Sequence, residues 1–155
     1  MDSESEYFRA GVGALVIDAN GRVLAFRRSK GSVSEWQLPQ GGVLHAEEPA
    51  KAVFREVAEE TSIPETKLEL VDEIEEWIGY ELPEAYRSAK TERGQVQKWF
   101  LFRFSGTDSD IRPDGSEFSG WQWMTPAQLL AAAVPFRHAA YRRVFERFAA
   151  HLTEV

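Results

Sequence analysis

Cysteine is absent from this chain of 155 residues, and so are long hydrophobic runs. Without cysteine there is no disulfide scaffold, and the chain suits a reducing compartment. Its apolar runs fall short of the roughly 20 residues that a membrane-spanning helix needs. The first six residues are acidic, unlike the start of a secretory signal, and we expect them to be flexible. We therefore predict a cytoplasmic protein with no membrane partner.

Basic residues are also in the minority, with 18 Lys and Arg against 25 Asp and Glu and a formal net charge of -7. Proteins that bind nucleic acid duplexes are usually basic, because they neutralise many phosphates. We therefore predict no binding to duplex DNA. The composition, 43% hydrophobic and 28% charged, argues against disorder. We expect residues 1–155 to form a single domain, and no feature of the sequence indicates an oligomeric state.

The most informative segment, Pro39 to Ile63, is a Gly-Gly loop followed by a helix rich in carboxylates. Pro49 suits a first helical turn, so the helix should begin near Glu48 and end around Thr61 to Pro64. Apolar residues recur at spacings of three and four and give the helix one stripe to bury. These apolar residues are Ala50, Val53, Phe54, Val57 and Ala58.

A second face of this helix carries Glu56, Glu59 and Glu60, since offsets of three and four bring side chains together. The cluster is open to two interpretations, an ordinary solvated helix face or a cation site. Like charges four residues apart destabilise a helix, which favours the cation. Carboxylate oxygens suit Mg²⁺ or Mn²⁺, and the scattered histidines offer no site for a softer metal. Because Mg²⁺ often binds phosphate oxygens as well, the cation site predicts a phosphate substrate.

The charged positions of this segment also resemble a known family. The segment contains Gly41, five residues, Glu47, seven residues, and then R-E-V-A-E-E-T-S-I from Arg55 to Ile63. This spacing is similar to the Nudix box, G-x5-E-x7-R-E-U-x-E-E-x-G-U, where U is bulky and aliphatic. Every charged position matches. Ser62 departs, because the family usually has glycine there, and it would cost on the order of 1 kcal/mol if the backbone needs a positive φ.

Other segments resemble one Nudix branch, the bacterial RNA 5′-pyrophosphohydrolases and the related diadenosine tetraphosphate hydrolases. In chain order they are Trp36–Gly42, Trp77–Pro83, Gly94–Phe100, Glu117–Trp123, Pro135–Arg137 and Tyr141–Val144. The resemblance covers nearly the whole chain.

This resemblance implies a metal centre of Mg²⁺, with Mn²⁺ as a substitute, held by Glu56, Glu59 and Glu60 and approached by the backbone of Gly41 and Gly42. Such an ion activates water for attack on phosphorus. The implied role of Arg55 is to orient the acidic residues, and Glu47 either pairs with Arg55 or helps to bind metal.

The proton acceptor and the substrate contacts are also implied by the resemblance. Either Glu60 or Glu117 removes the proton from water. The basic residues Arg9, Arg28, Lys98 and Arg137 are expected toward the phosphates, unless they are ordinary surface charges. The aromatic residues Tyr80 and Phe136 are expected to stack a base, unless they belong to the core.

Three functions follow. The favoured one is metal-dependent removal of pyrophosphate from the 5′ end of triphosphorylated RNA, which the Pro135–Arg137 and Tyr141–Val144 segments support. The alternative is asymmetric hydrolysis of dinucleoside polyphosphates such as diadenosine tetraphosphate, which the acidic balance and Glu81 favour. A Nudix-fold nucleotide sensor without catalysis is the third, although such proteins commonly lose box carboxylates that this chain keeps.

The fold predicted from the sequence, and implied by the resemblance, is an α/β/α sandwich with a mixed β-sheet. Strands over Gly13–Asp18 and Arg22–Phe26 flank an Asn20-Gly21 turn, which is a hairpin signal. Val96–Phe104 is apolar on both faces, as expected of a central strand. Thr125 should cap a helix that starts at Pro126.

The remaining segments complete the prediction. Arg27–Gln40 is expected to be a loop, Leu68–Trp77 one or two strands, Glu84–Gly94 a mobile flap over the site, Asp108–Glu117 a polar loop, Trp121–Met124 a short strand and Phe136–Leu152 a final amphipathic helix.

Overall fold

The computed structural model describes residues 7–29, 35–89 and 91–153, so the expectation for the first six residues lies outside it. The helices and strands, in chain order, are β1 (Phe8–Ile17), β2 (Val23–Arg28), β3 (Trp36–Gln37), β4 (Gln40–Gly42), α1 (Pro49–Thr61), β5 (Leu68–Glu73), β6 (Ile78–Glu81), β7 (Gly94–Phe104), β8 (Phe118–Met124), α2 (Pro126–Ala132) and α3 (His138–Arg147).

The strands form one mixed sheet in the order β3-β2-β1-β7-β5, with β4 paired to β1, β6 to β7 and β8 to β2. Strand β7 pairs parallel with β1 and antiparallel with β5 and β6, which confirms that it lies inside the sheet with partners on both edges. The predicted hairpin is also confirmed: β1 and β2 are antiparallel, and Gly21 takes a φ of 77° in the turn.

Helices cover both faces of the sheet because side chains alternate along β7. Phe100 and Phe102 point to the face where Val53 of α1 packs. Trp99 and Leu101 point to the opposite face, where α2 and α3 pack. Each face therefore has its own apolar core, and the predicted α/β/α sandwich is confirmed.

The ends of the helices follow their capping residues. Helix α1 starts at Pro49 directly after Glu48, and it ends at Ser62, whose φ of 67° is left-handed. The hydroxyl of Thr125 accepts a hydrogen bond from the Gln128 N–H at the start of α2. Both helix starts agree with the sequence. In the described residues, no helix has the length and apolar character needed to cross a membrane.

Two predictions for the chain were wrong. The loop expected over Arg27–Gln40 contains the end of β2 and the short strand β3, and β4 begins at Gln40. These strands are two and three residues long, too short for an alternating pattern to be seen. The single helix expected over Phe136–Leu152 is also broken: Pro135–Arg137 forms a 3₁₀ turn, α3 spans His138–Arg147, and Ala149–His151 forms another 3₁₀ turn.

Smaller differences affect strand boundaries. Leu68–Trp77 contains only β5, which ends at Glu73, and the next strand begins at Ile78. Strand β8 begins at Phe118, three residues before Trp121. The early start is important for the site because it places Glu117 directly before a strand that is paired to β2.

Candidate active site

The Gly-Gly loop becomes strand β4, which lies between β1 and α1. Gly41 pairs with Val12 of β1, and a Cβ on Gly41 would overlap the carboxylate of Glu56. A Cβ on Gly42 would overlap the guanidinium of Arg9. The absence of side chains on these glycines therefore allows a carboxylate and a guanidinium to approach the same piece of backbone.

Glu60 is the most deeply buried carboxylate of α1, with 3% of its surface exposed. Its Oε1 accepts a hydrogen bond from the backbone N–H of Gln40 at 3.1 Å. Burial, followed by the neighbouring carboxylates of Glu117 and Glu56, raises the pKa of Glu60 to about 10. Glu60 therefore keeps its proton at neutral pH when no cation is bound, and a cation would favour the charged form.

Glu56 lies beside Glu60 and is half-buried. Burial raises its pKa, although Arg55 opposes the shift. The Nη1 of Arg55 donates to Oε1 of Glu56 at 2.7 Å, which leaves Oε2 next to the Gly41 backbone. The Glu56 carboxylate is thus held by the Arg55 guanidinium at one oxygen, and its other oxygen faces β4.

Arg55 connects the acidic residues. Its guanidinium binds Glu47 with two hydrogen bonds of 2.8 Å and the carbonyl of Gly42 with one of 2.9 Å. The hydrogen bonds from Arg55, with help from the Leu44 N–H, lower the pKa of Glu47 to about 2. Of the two roles implied for Glu47, the structure therefore has the ion pair with Arg55.

A cavity of about 630 Å³ opens beside these residues. Its lining includes the carboxylates Glu56, Glu60 and Glu117 and the guanidinium groups of Arg9, Arg28 and Arg137. Tyr80, Tyr86 and Phe136 line it as well. Three of the basic residues expected toward the phosphates therefore share one cavity with the acidic cluster.

The aromatic residues of the cavity form a small stack. The rings of Tyr80 and Phe136 are 5.9 Å apart and inclined by 30°, and Tyr86 meets Phe136 edge-on at 5.1 Å. The guanidinium carbon of Arg137 lies 4.8 Å from the Phe136 ring centre. Tyr80 is only 8% exposed, so much of its ring belongs to the core.

Glu59 and Lys98, a predicted metal ligand and a predicted phosphate contact, lie outside this cavity. The side chain of Glu59 is 58% exposed, and its Oε2 is 3.4 Å from Nη1 of Arg55. Lys98 donates to the Glu75 carbonyl at 2.9 Å and pairs with Glu73 at 3.3 Å. It lies on the opposite face of β7 from Gln95, because it is an odd number of residues away.

The sequence interpretation missed several residues of the site. Gln40 supplies the N–H on Glu60, and its side chain bonds Gln97 on β7 at 3.0 Å. Asp114 accepts the backbone N–H of Glu117 at 2.9 Å. The Pro113-Asp114-Gly115 turn was visible in the sequence, but no motif indicated that this turn holds the backbone of Glu117.

The donor set suits a hard cation. Among the carboxylates that line the cavity, Glu56, Glu60 and Glu117 offer the oxygen ligands that divalent ions such as Mg²⁺ prefer. Burial and, after it, the neighbouring carboxylates raise the pKa of Glu60, and a cation would offset both effects by stabilising the charged form. As they stand, however, no three carboxylate or imidazole groups of the described residues lie close enough together to enclose an ion.

Comparison with known proteins agrees with this geometry. Residues 7–148 match the NUDIX domain family, whose members generally use divalent metal ions. A protein of Cereibacter sphaeroides named RNA pyrophosphohydrolase is 40% identical over 150 residues, covering 94% of this chain and 93% of its own. One of Roseobacter denitrificans with the same name is 41% identical over 152 residues, covering 94% of each chain.

Among solved structures, the Ap4A hydrolase of C. elegans, crystallised as a binary complex, is similar in fold. The TM-score is 0.67 at 17% identity, over 90% of this chain and 98% of that one. At this identity the similarity concerns the fold alone.

Proposed function

Because the chain belongs to the Nudix family, we propose that it hydrolyses phosphoanhydride bonds and removes pyrophosphate from the 5′ end of triphosphorylated RNA. The observation that carries the proposal is a single cavity lined both by carboxylates of the Nudix box and by three arginines. Relatives about 40% identical over almost the full length, named RNA pyrophosphohydrolase, support this substrate. The proposed location is the cytoplasm, which the lack of cysteine suits.

In this proposal Glu56 and Glu60 would hold Mg²⁺, for which Mn²⁺ could substitute. The bound ion lowers the pKa of water and offsets negative charge on the phosphate oxygens. Gln40 fixes one oxygen of Glu60 through its backbone N–H, which orients the buried carboxylate. Arg55 holds Glu56 and Glu47 in place from the other side.

The proton of the attacking water goes to one of two carboxylates, and exposure favours Glu117. Glu60 is 3% exposed and one of its oxygens already accepts an N–H. Glu117 is exposed on the cavity side of the loop before β8. Water adds to phosphorus, the P–O–P bond breaks, and the electron pair leaves with the pyrophosphate. The RNA is left with a 5′-monophosphate.

Arg9, Arg28 and Arg137 are the proposed contacts of the triphosphate, because these cationic side chains line the same cavity as the carboxylates. Phe136 is the proposed stacking platform for a base, since its ring is only partly buried. Glu81, whose charge had favoured a dinucleotide substrate, pairs with Arg93 at 2.5 Å and with Arg87 at 3.8 Å. Its negative charge is therefore largely offset.

The test is a parallel assay of the pure protein with Mg²⁺ on 5′-triphosphate RNA and on diadenosine tetraphosphate. We expect release of pyrophosphate and formation of a 5′-monophosphate end from RNA, at a higher kcat/KM than for the dinucleotide. Preferential cleavage of diadenosine tetraphosphate would identify the dinucleotide, and not RNA, as the preferred substrate. Nucleotide binding without turnover at any Mg²⁺ or Mn²⁺ concentration would identify a sensor instead.

A further inference from the structure

The segment 112–118, which we call the Glu117 loop, is tied to the end of helix α1 by three hydrogen bonds. The N–H of Arg112 donates to the Thr61 carbonyl at 2.9 Å, and the N–H of Asp114 donates to the Glu60 carbonyl at 3.1 Å. The hydroxyl of Ser62 donates to the Arg112 carbonyl at 2.9 Å. The loop that carries Glu117 is therefore anchored directly to the helical turn that carries Glu60.

Within the loop, a single oxygen organises the backbone. The Oδ1 of Asp114 accepts the N–H groups of Ser116 at 3.1 Å, Glu117 at 2.9 Å and Phe118 at 2.9 Å. Gly115 takes a φ of 81°, which lets the chain curl around this carboxylate. On the far side, the Glu117 carbonyl accepts the Ser29 N–H at 2.8 Å, at the end of β2.

The Glu117 side chain itself is exposed, and in the described residues its neighbours include two other carboxylates, Glu60 and Glu56. The protonated Glu60 shares a side-chain hydrogen bond with Glu117, whereas two charged carboxylates would repel each other once a cation removes that proton. The contact that holds Glu117 in both protonation states of Glu60 is the backbone of the loop. That backbone is fixed at Glu117 by Asp114 on one side and by Ser29 on the other.

We propose that Asp114 is a positioning residue: by binding three consecutive N–H groups it holds the Glu117 carboxylate beside Glu60, where the reaction requires it. This inference rests on the proposed function, because it assigns Glu117 a role in the hydrolysis. Without Asp114 the three N–H groups would turn to water, and the loop would sample positions that leave Glu117 away from the cavity. A displacement of about 1 Å at a reacting group is enough to lower a rate about 100-fold.

Asp110 provides a matched control. Its Oδ2 accepts the Thr107 N–H at 2.9 Å, so it also caps a turn in the segment between β7 and β8. It does not line the cavity, and its side chain forms no hydrogen bond with the described residues of the Glu117 loop. If both aspartates only stabilised the segment between β7 and β8, their alanine variants would lower the rate equally. If Asp114 positions Glu117, only the Asp114 variant should lower the rate.

The experiment compares Asp114→Ala, Asp114→Asn, Asp110→Ala, Glu117→Gln and the Asp114→Ala/Glu117→Gln double variant. For Asp114→Ala we expect kcat on triphosphate RNA to fall about 10- to 100-fold, with KM within about threefold of wild type. Asp114→Asn should restore most of the rate, because the amide oxygen can accept the same N–H groups. Asp110→Ala should stay close to wild type. The double variant should be no slower than Glu117→Gln, because displacing a side chain that has already lost its carboxylate costs no further rate.

Additive losses in the double variant would overturn the proposal, and so would equal losses from Asp110→Ala and Asp114→Ala. Amide hydrogen exchange gives a readout without turnover: residues 116–118 should exchange faster in Asp114→Ala and not in Asp114→Asn. Unchanged exchange in Asp114→Ala would also overturn it. If wild type itself does not hydrolyse RNA, the proposed function fails, and the hydrogen-exchange comparison still decides whether Asp114 holds the loop.

Discussion

Two segments of the chain carry clustered carboxylates, and their surroundings in the structure differ. The first is the helix α1 face with Glu56 and Glu60, and the second is the segment 69–76, which carries five acidic residues in eight. In the second segment Glu69 pairs with Arg103 at 3.1 Å, Glu73 pairs with Lys98, and Glu76 pairs with Arg147. These acidic side chains are about half exposed or more.

The electrostatic consequences are opposite. Arg147 lowers the pKa of Glu76, whereas burial and two carboxylate neighbours raise the pKa of Glu60 to about 10. Carboxylate density alone therefore does not define a site. What distinguishes α1 is that Glu60 is buried among like charges beside a cavity and pairs with no basic side chain in the described residues.

The largest effect should separate the two segments by activity. Glu60→Gln preserves the shape of the side chain but removes its charge, and we expect kcat to fall by about 100-fold or more. Glu69→Gln, the control in the exposed segment, should leave the rate unchanged and shift the unfolding free energy by no more than about 0.5 kcal/mol. Steady-state kinetics with Mg²⁺ and triphosphate RNA measure the difference. Comparable rates in both variants would show that the carboxylates of α1 matter no more for catalysis than those of segment 69–76.

Arg55 and Arg103 provide a second comparison. Arg55 binds two oxygens of Glu47, one of Glu56 and the Gly42 carbonyl, a pattern that requires a planar guanidinium. Arg55→Lys should therefore lower kcat/KM about 10- to 100-fold, and more Mg²⁺ should be needed for half-maximal rate. Arg103→Lys, at the exposed Glu69 pair, should have wild-type kinetics. A fully active Arg55→Lys protein would contradict the positioning role.

A third comparison uses pH. In the metal-free protein the folded state keeps the Glu60 proton up to about pH 10, while the unfolded chain releases it near the ordinary pKa of 4.5. The contribution of Glu60 to stability is therefore present below pH 4.5 and is lost as pH rises toward 10, with a slope of up to about 1.4 kcal/mol per pH unit. Denaturant unfolding of wild type and Glu60→Gln with chelator should diverge from about pH 5 to about pH 8. Parallel profiles would mean that Glu60 is ionised in the metal-free fold.

The smallest effect concerns Ser62. Its φ of 67° is left-handed, so the free-energy cost expected for a residue other than glycine applies at this position. The Ser62 hydroxyl offsets part of that cost through its bond to Arg112. Replacement by Gly and by Ala both remove the hydroxyl, so their difference isolates the strain. We expect Ser62→Gly to be more stable than Ser62→Ala by about 1 kcal/mol in denaturant unfolding. Equal stabilities would show that this backbone carries no strain.

Much of this arrangement could be predicted because it depends on local periodicity. The 3.6-residue repeat placed Glu56 and Glu60 on one face of α1, and Thr125-Pro126 fixed the start of α2. The charge spacing of the Nudix box identified Glu56 and Glu60, two of the carboxylates that line the cavity. These features need no knowledge of distant contacts.

The rest depends on contacts between distant segments. Strands β3 and β4 exist only because β2 and β1 offer partners, and such short strands carry no readable period. The three N–H groups that Asp114 binds belong to the backbone, and no pattern of residue types in the sequence indicates such contacts. The position of Lys98 could have been predicted, because alternation along β7 puts its side chain on the opposite face from Gln95 and Gln97. Its expected contact with the phosphates was instead implied by the family resemblance.

The central claim is that the α1 carboxylates bind a divalent cation and that Glu60 must lose a proton to do so. Titration calorimetry of Mn²⁺ into the protein at about pH 7, in two buffers with different ionisation enthalpies, tests it directly. We predict release of about one proton per site filled in wild type and none in Glu60→Gln, because metal ligation requires the deprotonated carboxylate. Absence of binding heat in wild type, or heats that do not depend on the buffer, would contradict the account.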